Sequence, residues 1–109
     1  MALFDAKNIN INTTILELIN RRRRQIVVHS YLYYKGNTSL ITDYQFDLWC
    51  KELVELHKNH PRETERAVFP EAFAGWEGFS GYDLFSKDTM TEVWARLKAF
   101  QLTSYNFKE

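Results

Sequence analysis

The chain has 109 residues, 14 Lys+Arg against 14 Asp+Glu, and is 45% hydrophobic and 16% aromatic, enough for one compact domain and too short for two. A formal charge of zero removes the overall cationic field behind non-specific nucleic-acid binding, so no direct nucleic-acid contact is expected. The one thiol, Cys50, makes no internal disulfide, no apolar run approaches the roughly 18 residues that span a bilayer, and Asp5 and Lys7 interrupt any signal-peptide core; a reduced, cytoplasmic protein away from membranes is expected.

Residues 1–10 show no sustained period and read as an arm whose Leu3 and Phe4 pack back on the core. Thr14-Ile15-Leu16-Glu17 fits a capping box, and Ile15, Leu16, Ile19, Ile26, Val27 and Tyr31 then recur with helical spacing to about Tyr34. Lys35-Gly36-Asn37-Thr38-Ser39 is a turn by composition. A second box, Thr42-Asp43-Tyr44-Gln45, opens a helix with an apolar stripe of Phe46, Trp49, Cys50, Leu53, Leu56, His57 and His60, which Pro61 stops. Neither helix of this hairpin buries its stripe alone, so the rest of the chain is expected to cover it.

Residues 62–85 hold Pro70 and three of the four glycines, with Gly75-Trp76, Gly78-Phe79 and Gly81-Tyr82 in step. Together with Phe69, Phe73 and Phe85 these aromatics carry too much apolar surface for a linker, which predicts a structured loop, either a core lid or a stacking platform for a ring. Thr89-Met90-Thr91-Glu92 caps a last helix with Met90, Val93, Trp94, Leu97 and Phe100 on one face, followed by a polar tail from Thr103. The expected fold is all-α: a helical hairpin, an aromatic Gly-rich loop and a C-terminal capping helix, in a single domain 1–109 divided as 1–61 (arm and hairpin) and 62–109 (loop and capping helix).

Asp43, Phe46 and Asp47 are neighbours on the second helix, since at about 100° per residue the two aspartates sit roughly 40° apart with Phe46 roughly 60° to the other side. They lie on the rim of the apolar stripe, beside the turn that leads back to Tyr33 and Tyr34, and so outline a pocket mouth. An acid in a first turn is also favoured by the helix dipole alone, by about 0.3–1 kcal/mol.

The run from His29 to Pro61 resembles the small N-terminal domain, called Ia, of bacterial NAD-dependent DNA ligases. The resemblance rests on the ungapped order Tyr33, Tyr34, Ile41, Asp43, Phe46, Asp47, Leu53, Leu56, His60 and Pro61, and covers about a third of the chain. It implies that Tyr33, Tyr34, Asp43, Phe46 and Asp47 hold the positions that grip the nicotinamide mononucleotide half of NAD. The nicotinamide ring of NAD is a flat cation, suited to aromatic faces and to carboxylates that take its carboxamide N–H or the ribose hydroxyls. Phe46 stands where the family has tyrosine, and Gly36-Asn37-Thr38-Ser39 lacks the family's Asp and Pro. No Lys-x-Asp-Gly adenylation motif follows, so ligation by this chain alone is not expected.

The resulting expectation is a non-catalytic ligase Ia-like module that binds nicotinamide mononucleotide, NAD or a related nucleotide, without a metal. The alternative is an interaction protein, of a kind that would suit a bacteriophage, which mimics the ligase domain and modulates a host ligase or another nucleotidyltransferase. Tyr44 and Leu48, pointing away from the stripe, are its candidate docking pair. A nucleotide-hydrolysing enzyme is a third class, for which no activated carboxylate is visible.

Arg21 to Arg24 span about 300° of the first helix, so at least one must reach across the core edge; the block reads as a phosphate contact or as a solvated, partly ion-paired turn. His57 and His60 lack the partners of a zinc site and are expected to be structural. Cys50, on the apolar stripe, is expected to be a small buried hydrophobe.

Overall fold

The computed structural model describes residues 11–78 and 81–107, and among these it is helical, with no strand. The arm with Leu3 and Phe4, and Phe79, lie outside the described residues. Helix α1 runs Thr13–Tyr34, α2 Asp43–Asn59, α3 Pro61–Arg66, a 3-10 turn Tyr82–Phe85, and α4 Thr89–Phe107.

The start of α1 differs from the expected box. Asn12 is the cap, its side chain accepting from Ile15 N at 3.1 Å, while its own N–H donates to Glu63 Oε2 at 2.7 Å. Glu63 thus supplies from α3 the reciprocal bond that Glu17 was expected to make, and the bond holds its carboxyl below the usual range. Helix α2 begins as expected, with Thr42 Oγ1 accepting from Gln45 N at 3.0 Å. Pro61 both follows the end of α2 and opens α3, a role its fixed φ and missing N–H suit.

The hairpin's apolar faces meet in one core of Ile19, Ile26, Val27, Cys50 and Leu53, closed by Ala67, Ala72, Phe73, Leu84 and Phe85 from the loop and by Ala95 from α4. Phe73 and Phe85 are buried, and Phe69 and Trp76 pack on the core half-buried, so these four act as a lid. Two glycines permit that closure: a Cβ at Gly78 would run into Val54, and one at Gly81 would overlap Ser30 Oγ.

Helix α4 packs along α1 and the 3-10 turn; of the expected stripe Trp94 packs on the core and Val93 is half-buried, but the fully buried positions are others. Thr91, Ala95 and Ala99 are buried, whereas Met90, Leu97 and Phe100 are exposed. Small side chains at i, i+4 and i+8 let the two helix backbones approach closely, which the larger stripe would prevent. Its cap is Asp88, accepting from Met90 N at 3.1 Å and Thr91 Oγ1 at 2.6 Å, rather than Thr89. The helix also continues through the expected polar tail to Phe107.

The arginine block resolves by position. Arg21 and Arg24 are exposed, and Arg22 pairs with Glu52 at 2.6 Å. Arg23 is 2% exposed, donating to Val68 O at 2.7 Å, to Thr64 O at 3.4 Å and to His57 Nε2 at 3.2 Å, with its guanidinium 4.8 Å from the Phe73 ring centre. One side chain therefore ties α1 to α2, α3 and the lid. Burial pulls its pKa down to about 10.

Burial, and then the Arg23 charge, pull His57 down to about 4. That value lies below the ordinary 6.5, so the unfolded chain holds the proton more tightly. The stabilisation is complete above about pH 6.5, is lost as pH falls toward about 4, and changes no further below it. Unfolding in urea is expected to show a loss of up to about 3 kcal/mol from this group between those pH values. Stability independent of pH over that window would contradict the placement of His57.

Candidate functional site

The hairpin turn builds a cavity. Tyr31 O accepts from Lys35 N at 2.8 Å and Gly36 N at 2.9 Å, and Leu32 O accepts from Thr38 N at 2.9 Å, so the chain leaves α1 by a tight reversal. Asn37 takes φ 53°, a conformation its short polar side chain tolerates. Ser39 Oγ donates to Ile41 O at 2.6 Å, and the Thr42 cap then launches α2, bringing its first turn against the last turn of α1.

Between those two turns lies a cavity of about 260 Å³. Tyr33, Tyr34, Asp43, Phe46 and Asp47, the five residues singled out in the sequence, all line it, with His29, Ser39, Ile41 and Thr42. Tyr33 and Tyr34 meet edge to face, ring centres 4.8 Å apart at 87°, and Tyr33 remains 56% exposed. Phe46 is half-buried on the core cluster and forms the apolar floor. Asp43 and Asp47 are exposed on successive turns of α2, at the rim.

His29 was not singled out in the sequence, although it stands one helical turn before Tyr33, a spacing that places both on one side of α1. Its ring lies 5.5 Å from that of Trp49, burial lowers its pKa, and its Nδ1 is buried with no hydrogen-bond partner among the described residues. Ser39 and Thr42 carry their polar atoms for turn and cap, and line the cavity as a by-product of that geometry.

Cys50 is 3% exposed, and burial, followed by the Asp47 charge, pushes its thiol up to about 12, which removes it as a nucleophile near neutral pH. His57 is engaged by Arg23, and among the described residues no group of three His, Cys, Asp or Glu side chains is arranged to hold a metal ion. Tyr44 and Leu48 are exposed on the outer side of α2, 72% and 42% respectively. No helix among the described residues is long and apolar enough to cross a membrane.

The site is thus an aromatic and acidic pocket at the closed end of a helical hairpin. The family described as the DNA ligase-like, N-terminal NAD+-binding domain matches residues 12–66, and the chain belongs to that family. It is similar to the DNA ligase of Caldicellulosiruptor bescii, 38% identical over 60 residues covering 51% of this chain and 8% of the ligase. The DNA ligase of a Thermoanaerobacter species is 31% identical over 70 residues, 64% of this chain and 10% of the ligase. That of Flavobacterium johnsoniae is 40% identical over 47 residues, 43% of this chain and 7% of the ligase. The chain therefore spans a tenth or less of the length of these relatives. No solved structure matches it.

Proposed function

We propose that this protein is a non-catalytic module that captures the nicotinamide mononucleotide half of NAD+ in the pocket between α1 and α2. The observation that carries this reading is the meeting of Tyr33, Tyr34, Phe46, Asp43 and Asp47 around one cavity, in a chain of the NAD+-binding family. The aromatic rings suit a flat cationic ring, and the two carboxylates suit its charge, its carboxamide N–H and the ribose hydroxyls. At about 260 Å³ the cavity is a little below the usual range of ligand pockets, a volume for one ring and its sugar rather than a whole dinucleotide. The lid and α4 cover the hairpin core, so we read residues 1–109 as one working unit, cytoplasmic as its single buried thiol suits.

Calorimetric titration with nicotinamide mononucleotide, NAD+ and ADP-ribose tests this. Heat with the two nicotinamide-bearing ligands, and none with ADP-ribose, is expected. Equal affinity for ADP-ribose, or no binding of any nicotinamide ligand, would remove the assignment.

A second reading is favoured by one observation, the exposed Tyr44 and Leu48 beside the pocket. In it the module docks on a ligase or another nucleotidyltransferase through that face. Co-purification that survives loss of Asp43 and Asp47 but fails with Leu48→Glu would favour it.

A further inference from the structure

One face of α1 is only partly covered by the rest of the fold. Glu17, Arg21, Arg24 and Val28 recur at i, i+4, i+7 and i+11, and so lie along a single stripe of the helix. Two cavities follow that stripe. One, about 480 Å³, is lined by Glu17, Asn20, Arg21, Arg24 and Gln25. The other, about 580 Å³, lies between α1 and α4 and shares Arg24 and Gln25 with the first, so a continuous groove runs from near the start of α1 to its contact with α4.

The groove changes character along its length. Toward the start of α1 it is polar and carries an acid, Glu17. At α4 its floor is apolar, built of Val28, Trp94 and Leu102, and Leu102 remains 42% exposed. The exposed cations Arg24 and Lys98 flank that floor, with Lys98 Nζ 5.9 Å from the Trp94 ring centre, and no carboxylate is among its described lining residues.

The chain carries a segment of the matching order in its first ten residues, which lie outside the described ones. Leu3-Phe4-Asp5-Ala6-Lys7 reads as two apolar side chains, an acid and then a base. Laid antiparallel to α1, it sets Lys7 beside Glu17, Asp5 beside Arg24, and Leu3 with Phe4 over Val28 and Trp94. The reach agrees. Asn12 is fixed on the α3 side by its bond to Glu63, and residues 9–11 suffice to cross the helix end, which is about 10 Å wide. From residue 9, an extended chain at about 3.3 Å per residue puts Lys7, Asp5 and Leu3 about 7, 13 and 20 Å along α1. At about 1.5 Å per residue from Thr13, Glu17, Arg24 and Val28 stand about 6, 16 and 22 Å along it, and helix side chains lean back toward the N-terminus, which narrows the differences. The arm and α4 both lie outside the family-matched segment 12–66.

We propose that the groove between α1 and α4 is the seat of this chain's own N-terminal arm, with Leu3 and Phe4 on its apolar floor and Asp5 between Arg24 and Lys98. The short connection to Asn12 keeps the arm at high effective concentration, which favours it over a separate partner of the same chemistry. His29 lines both this groove and the pocket between α1 and α2, so the seated arm backs one wall of that pocket from the far side. The proposal does not depend on what the pocket binds.

Nuclear magnetic resonance of the full chain tests it. Phe4 ring protons are expected to show nuclear Overhauser contacts with the Trp94 indole and the Val28 methyl groups in the wild-type protein, and none between labelled and unlabelled copies in a mixed sample. Leu3→Ser combined with Phe4→Ser is expected to shift the Trp94 indole N–H resonance while that of Trp76, on the lid, stays in place. Asp5→Lys is expected to shift Trp94 in the same direction by a smaller amount, since it keeps the apolar pair and reverses the charge that meets Arg24 and Lys98. Absence of the wild-type contacts, with Trp94 unmoved by the double substitution, would overturn the proposal and leave the groove to a separate partner. Contacts found only between copies would also overturn it, by assigning the arm to a second molecule.

Discussion

Arg23→Met is expected to lower the unfolding free energy by about 2–4 kcal/mol. The substitution keeps a long apolar stem but removes the Arg23 donors to Val68 O and His57 Nε2, and one of the two donors to Thr64 O, which also accepts from Ala67 N at 3.3 Å. Buried acceptors left unpaired cost about 1–3 kcal/mol each, and the contact with Phe73 contributes about 1 kcal/mol more. Relief of the buried charge offsets part of this, because Arg23 is surrounded by carbonyls and an imidazole rather than by a carboxylate. For a domain with a total stability of about 5–15 kcal/mol, the result is a fall in Tm of roughly 10 °C or more. The same variant removes one of the two causes that hold His57 low, so its imidazole, followed by NMR, is expected to titrate nearer 6.5 than in the wild type. An unchanged Tm with an unchanged His57 titration would show that the guanidinium does not tie these elements together.

The double substitution Asp43→Ala with Asp47→Ala is expected to act in the opposite way, abolishing binding of nicotinamide mononucleotide with little effect on folding. Both carboxylates are exposed, and Asp43 contributes to α2 chiefly through the helix dipole, a matter of about 0.3–1 kcal/mol. As partners of a bound ligand, each is worth about 1.5–3 kcal/mol through charge-assisted hydrogen bonds, so losing both weakens binding by upwards of about 100-fold. The single Asn variants keep shape and remove charge, and are expected to fall between. Calorimetry measures the affinities and thermal melting the fold. Unchanged affinity in the double variant would remove the carboxylates from the site.

How much of this was legible in the sequence depended on whether a pattern was local. The cap at Thr42 and the turn at Gly36-Asn37 work through bonds within a few residues, and the structure has them where the sequence placed them. The start of α1 was misplaced because the decisive bond comes from Glu63, 51 residues away, which no local pattern contains. The buried face of α4 was misread for a related reason. That helix is apolar on more than one side, and the choice between Met90-Leu97-Phe100 and Thr91-Ala95-Ala99 was made by how closely α1 could approach.

Among candidate site residues, Tyr33, Tyr34, Asp43, Phe46 and Asp47 stood out through their order in the chain, and the hairpin brings all five to one cavity. His29 did not stand out, since a histidine on a helix carries no signal until its neighbours in space are known. Arg23 was indistinguishable within its block of four. Only the circumference argument required one of them to reach the core, and it could not say which.

The most direct test of the central claim is the shift of backbone amide and tyrosine ring resonances when nicotinamide mononucleotide is added to labelled protein. Binding as proposed shifts His29, Tyr33, Tyr34, Asp43, Phe46 and Asp47 together, in proportion to occupancy. No shift at saturating ligand, or shifts confined to residues away from the hairpin's closed end, would contradict the assignment of this pocket.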